Sequence, residues 1–175
     1  VAENWENIVA GKSGITRITR FDPSRLSSQI AGEVKGFDPG QYLSAKEIRR
    51  MDRFIHLGLA AGIEAIKDSG IEVTPLNAER IGVNIGSGIG GLPMIEDSHS
   101  ELLKGGPRKI SPFFIPGTII SMISGNLYIL YGLKGPNLAI VTACTTATHC
   151  VGDSARLIEY GDADIMIAGG AESTV

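Results

Sequence analysis

The sequence predicts an α/β fold in which short parallel strands are joined by helical crossovers. Three features carry the prediction: segments with apolar residues at helical spacing alternate with short apolar runs, glycine clusters punctuate the junctions, and no internal repeat or linker divides the chain.

In chain order, the opening VAENWENIVAGKSG has no initiator Met and no basic or apolar targeting segment, so it reads as an internal start. Gly11-Lys12-Ser13 has the tail of a phosphate-binding loop, but Glu6 stands where the first Gly belongs and no strand precedes it, so a plain loop is expected. Ser44-Ala45-Lys46-Glu47 is a capping box, which starts a helix by satisfying backbone N–H groups with the Ser hydroxyl and the Glu carboxylate. Ile48, Met51, Ile55, Leu59, Ile63 and Ile66 then form one apolar stripe, predicting a single helix that Gly70 stops in the left-handed conformation. Residues 81–85 read as the next strand, followed by Gly86, Gly88, Gly90 and Gly91, a short helix to Leu103 and a turn-rich stretch.

Residues 110–133 carry no charge over 24 positions, long enough to suggest a membrane span. Ser111, Pro112, Pro116, Ser121, Ser124 and Asn126 interrupt the run, while Ile120, Ile123, Leu127 and Leu130 recur at helical spacing, so a buried or interface helix is expected instead. Residues 138–144 predict a strand leading directly into a helix over 145–160, which Gly161 ends. Residues 164–170 predict another buried strand of the parallel type.

Composition narrows the function. With 16 Lys+Arg against 19 Asp+Glu the net charge is −3, and only five Phe, four Tyr and one Trp are present, which argues against nucleic-acid binding. Two cysteines, six residues apart, form neither a disulfide framework nor a zinc pattern, so no metal is expected and the chain reads as reduced and intracellular. Residues 86–91 satisfy GxGxxG after a strand. A dinucleotide site would also need an acidic residue about 20 positions on, and no Asp or Glu occurs between Glu101 and Asp153. Tight turns and close backbone packing are the preferred account of these glycines, with a nucleotide site as the alternative.

Cys144 lies where a strand meets a helix, so backbone N–H groups and the helix dipole can stabilise a thiolate and then an oxyanion. That position suits a nucleophile, and a buried structural cysteine remains the other reading; Cys150, inside the helix, is taken as structural. His149 is five residues on, rotated by about 140° from the thiol, and makes a poor base. His56, off the stripe, and His99 are expected at the surface. Lys46, Arg49, Arg50 and Arg53 form a basic stripe near a helix N-terminus, where cations oppose the dipole; this suggests docking of an acidic partner, with a solvated face as the alternative.

At this point the chain resembles a known family, the β-ketoacyl-acyl carrier protein synthases. The resemblance runs through Lys46-Glu47-Ile48-Arg49-Arg50-Met51-Asp52, the glycine run to Leu92, Gly106-Pro107-Arg108-Lys109-Ile110-Ser111-Pro112-Phe113-Phe114, Thr142-Ala143-Cys144-Thr145 and Tyr160 to Glu172, and it favours the type II subfamily of bacterial fatty acid synthesis over type I. It implies a thiolase-like α/β fold of two similar halves, with a mainly parallel central sheet between helices; this chain resembles the first half without its opening strand. It further implies a cytoplasmic homodimer that uses no cofactor, metal, nucleic acid or membrane. Cys144 matches the acyl-accepting nucleophile, Ile89 the residue gating the acyl pocket, and Phe114 the one that reaches that pocket across the dimer interface. Lys46, Arg49, Arg50, Arg108 and Lys109 match the surface that meets acyl carrier protein. The two catalytic histidines, the lysine and the second oxyanion donor belong to the other half, so the chain alone is not expected to be a complete enzyme. A type I synthase, a thiolase-like enzyme using coenzyme A, a noncatalytic chain-length factor and a nicotinamide-binding reductase are the rivals. Chain-length factors resemble this family with the active Cys replaced, so Cys144 argues against that reading.

Overall fold

A computed structural model of the chain describes residues 2–175 and divides them into two units, residues 2–38 together with Val175, and Pro39–Thr174. In the first, helix α1 (Ala2–Val9) precedes an antiparallel pair, β1 (Ile15–Arg17) and β2 (Ile30–Gly32), in register Ile15↔Gly32. The Glu33 carboxylate accepts from the Thr19 and Arg20 N–H groups and the Thr19 hydroxyl, which holds it below the usual carboxylate range. Gly11-Lys12-Ser13 lies between α1 and β1 as a loop.

The second unit is a parallel three-stranded sheet between helices. β3 (Ile81–Gly86) is central, with β4 (Asn137–Leu138) on one side and β5 (Ile165–Gly170) on the other. The Arg80 guanidinium donates to the Asp164 carboxylate at 2.6 Å and to the Gly161 carbonyl, while the Asp164 N–H donates to the Arg80 carbonyl, fixing the register Ile81↔Ile165. α3 (Arg53–Ser69) and α6 (Met122–Tyr131) supply the core over β3. Phe54, Ile55, Leu59 and Ile66 meet Ile81, Val83, Ile85, Ile123 and Leu127, all buried. Gly58 and Gly62 let the two helices close: a Cβ on either would stand 2.7 Å from Ile123 or 2.4 Å from Leu127. α7 (Thr146–Glu159) packs on β3 and β5 through Thr146, Cys150 and Ser154, one buried residue per turn.

Several expectations are borne out. The capping box forms at Ser44, Gly70 stops α3 at φ +69°, and α4 (Leu92–Gly105) follows the glycine cluster. The predicted single helix from Ser44 to Gly70 is corrected: α2 (Ala45–Ile48) ends within one turn, and α3 starts afresh at Asp52. The buried Asp52 carboxylate accepts from the Phe54 N–H at 3.3 Å and the Met94 N–H at 2.9 Å, so one side chain caps both α3 and α4, and the Asp52 backbone N–H donates to the Gly117 carbonyl. Lys46, Arg49, Arg50 and Arg53 therefore do not share one helix face. His56 is also corrected. It is 8% exposed, its Nε2 pairs with the Ile48 carbonyl at 3.1 Å, and burial pushes its pKa below the ordinary value.

The uncharged segment is not one helix. α5 (Phe114–Thr118) and α6 break at Ile119–Ser121, and among the described residues no helix is long and apolar enough to cross a membrane. Ile123 and Leu127 face the core as expected, Ile120 is half-buried, and Leu130, placed on the same stripe from sequence, is 56% exposed. Ile115, Ile119 and Ile129 are exposed too, so the segment presents apolar side chains on both sides.

Candidate active site

The predicted strand 138–144 pairs with β3 only through Asn137 and Leu138. The cause is Ser124, which projects from α6 into the sheet: its hydroxyl accepts from the Ile85 N–H at 2.9 Å and donates to the Leu138 carbonyl at 2.7 Å, taking both backbone partners out of the ladder. Released from β3, the chain passes Gly86 so closely that a Cβ there would lie 2.0 Å from the Ile140 carbonyl oxygen. It then turns sharply at Ala143, whose φ of +50° is rare outside glycine and costs roughly 1–2 kcal/mol. A 3₁₀ turn over Ala143–Thr145 leads into α7, leaving Cys144 exposed just ahead of the 14-residue helix.

Threonines hold the turn. The Thr142 N–H donates to Thr146 Oγ1 at 2.9 Å, and the Thr145 N–H and hydroxyl both donate to the Thr142 carbonyl, at 3.1 and 2.7 Å. His149 pairs with Thr142 Oγ1 at 3.3 Å and with the Asp153 carboxylate at 3.5 Å. Cys150 is fully buried, as expected.

Cys144 opens on a pocket of about 400 Å³ whose walls are the glycine loop with Ile89, the start of α7 and the segment after β5. Close packing explains the glycines. A Cβ at Gly88 would lie 2.9 Å from Glu172 Oε2, and one at Gly91 would lie 2.8 Å from Thr118 Cα; of the four, only Gly90 needs a left-handed φ, at +78°. The alternative reading, a dinucleotide pyrophosphate on this loop, meets an anion already present: the Ile89 N–H donates to Glu172 Oε2 at 2.9 Å. Glu172 and Ala143 both lie in the runs that carry the resemblance, but the sequence assigns a role to neither; the small residues Gly169 and Gly170 on the strand before Glu172 were the available signal.

Ile89 and Cys144 thus share one pocket. Phe114, in the first turn of α5, is half-buried and does not line it. Lys46, Arg49, Arg108 and Lys109 are exposed, the latter pair in a 3₁₀ turn at Pro107–Lys109. Arg50 is half-buried, its guanidinium 3.9 Å from the Phe113 ring centroid.

The whole chain, residues 1–175, matches the family described as β-ketoacyl synthase, N-terminal domain. It is 59% identical over 172 residues to 3-oxoacyl-[acyl-carrier-protein] synthase 2 of Vibrio cholerae, covering 98% of this chain and 42% of that protein. It is 45% identical over 175 residues to the Staphylococcus aureus protein of the same name, covering 100% and 43%. Among solved structures it superposes on the ishigamide ketosynthase/chain length factor with a TM-score of 0.82 at 27% identity, covering 99% of this chain and 44% of that one. A type II polyketide acyl carrier protein in complex with its ketosynthase, bound to the hexaketide, matches with a TM-score of 0.72 at 26% identity over 80% and 40%. The chain spans less than half the length of these relatives. The fold is the thiolase-like one of the ketosynthases.

Proposed function

The chain belongs to the β-ketoacyl synthase family, as its N-terminal domain, and on that premise we propose that it carries the acyl-accepting half of a type II 3-oxoacyl-carrier-protein synthase with Cys144 as the nucleophile. In the first step Cys144 Sγ attacks the thioester carbonyl of an acyl carrier protein; the new C–S bond forms as the carrier thiol leaves. In the second, a malonyl carrier loses its carboxylate as CO2, and the resulting carbanion attacks the Cys144 thioester. The Cys144 thiol departs, and the product is a 3-oxoacyl carrier longer by two carbons. The histidines and lysine assisting the second step, and the other oxyanion donor, belong to a second, similar half beyond this domain.

One observation carries the reading: a cysteine displayed on a strained turn immediately before a long helix, inside a pocket, with small residues keeping the approach open. The helix N-terminus supplies partial positive charge for an oxygen that becomes negative as the tetrahedral centre forms. The chain-length-factor reading lacks a use for such a thiol. Lys46, Arg49, Arg50, Arg108 and Lys109 serve as the docking surface for the acidic carrier, and the exposed apolar side chains of α5 and α6 support a homodimer with Phe114 at its interface. The protein works without a cofactor, in the cytoplasm.

Acylation of the full-length protein tests this. With an acyl carrier as donor, intact-mass and peptide mapping place one acyl group on Cys144, Cys144→Ala removes it with a rate loss of at least about a thousand-fold, and Cys150→Ala keeps it. Iodoacetamide modifies Cys144 well before Cys150. Equal labelling of the two thiols, or acylation surviving in Cys144→Ala, sinks the assignment. Charge reversal at Arg49 and Arg50 weakens carrier binding at low salt and has less effect at high salt; unchanged low-salt binding leaves these residues as a solvated face.

A further inference from the structure

Glu172 stands just past the carboxyl end of β5 and turns its carboxylate onto the glycine loop. Its Oε1 accepts from the Ser87 hydroxyl at 3.0 Å and its Oε2 from the Ile89 N–H at 2.9 Å, while Ser87 Oγ itself accepts from the Gly90 N–H at 3.2 Å. The loop ends rest on backbone: Gly86 lies against the Ile140 carbonyl, and the Gly91 N–H donates to the Thr118 carbonyl at 3.2 Å. Between these anchors the loop runs between two neighbours, since a Cβ on Gly88 would meet Glu172 Oε2 at 2.9 Å and Ala143 Cα at 3.4 Å. Ile89, at the middle of this span, is 55% exposed and lines the pocket with Cys144.

A glycine-rich span has many backbone conformations to lose when ordered, so a partner at its middle determines where that middle stands. A carboxylate suits the task because it offers acceptors only, and bonds to it are about twice as strong as neutral ones. We propose that Glu172 is a positioning residue that sets how far Ile89 enters the pocket beside Cys144, and thereby which acyl lengths reach the thiol. The inference rests on the acyl-transfer reading of Cys144. It assigns acyl selection in part to a side chain just past β5 that stands in the wall of the same pocket and holds the loop carrying Ile89.

The test uses the full-length protein with Glu172→Gln, Glu172→Ala and Ser87→Ala. Gln keeps one acceptor of the pair and turns an NH2 group toward the other donor; Ala removes both; Ser87→Ala removes the hydroxyl contact while leaving the Ile89 contact in place. Rates of Cys144 acylation are measured with acetyl, octanoyl and palmitoyl carriers, each normalised to Cys144 sites titrated with iodoacetamide. The readout is the ratio of long-chain to short-chain kcat/KM, in which any general loss of folded protein or thiol reactivity cancels. The ratio shifts at least about ten-fold in Glu172→Ala and in the same direction by less in Glu172→Gln and Ser87→Ala. Ratios within about two-fold of wild type, with all three carriers slowed equally or not at all, overturn the proposal, and the two milder variants decide it if Glu172→Ala does not fold. Wild-type protein that takes no acyl group on Cys144 from any carrier instead overturns the acyl-transfer reading, and this inference with it.

Discussion

The two faces of β3 are both buried but are packed by different means. Toward α3 and α6 the strand presents Ile81, Val83 and Ile85 to Phe54, Leu59, Ile123 and Leu127. Each such side chain contributes about 1.5–3 kcal/mol by leaving water. Toward α7 it presents Asn84 and Gly86: the Asn84 amide donates to the Cys150 carbonyl at 3.2 Å, and Gly86 lies against the Ile140 carbonyl and the Thr146 methyl. The first face is filled by side-chain volume and loses stability when atoms are removed. The second is limited by backbone approach and loses it when atoms are added. Backbone against backbone leaves little room to adjust, which is why the pocket with Cys144 is built at the end of the second face.

Leu127→Ala gives the largest effect expected on this comparison. It removes buried volume beside Gly62 and costs about 2–5 kcal/mol in urea unfolding, with the iodoacetamide rate at Cys144 unchanged below the transition. Gly86→Ala costs a comparable amount, at least about 1–3 kcal/mol, because a Cβ there would stand 2.0 Å from the Ile140 carbonyl oxygen and backbone has to move. Unlike Leu127→Ala, it changes the rate at Cys144, since both shifted segments border the pocket. If Gly86→Ala leaves stability and labelling as they were, the distinction between the faces fails.

The smallest effect is a pH dependence on the aliphatic side. His56 has its pKa lowered chiefly by burial and further by Arg53, against the opposing pull of the Ile48 carbonyl and Asp52. The unfolded chain therefore takes up the proton first. Its contribution to stability is complete above the unfolded value of about 6.5 and is lost as pH falls from there through the lower folded pKa. His56→Gln keeps a donor for the Ile48 carbonyl and titrates nowhere in that window, so its urea midpoint falls less steeply than wild type between about pH 7 and pH 5. Identical slopes would assign the acid sensitivity elsewhere.

The sequence by itself determined what neighbouring residues decide. The capping box at Ser44, the left-handed stop at Gly70, the parallel strands at Ile81–Gly86 and Ile165–Gly170 and the placing of Cys144 ahead of a helix all follow from signals a few positions apart. Tertiary structure alone decided the rest. The helix restarts at Asp52 because Met94 brings a second N–H to its carboxylate, β4 stops at Leu138 because Ser124 reaches in from α6, and Glu172 meets Ile89 across 83 positions of chain. His56 is buried because the chain broken before Asp52 sets the Ile48 carbonyl beside it. In each case a polar group has its partner on a different element. Periodicity and capping patterns register only the hydrogen bonds a segment makes with itself, so which distant donor or acceptor completes a group is set when the elements pack.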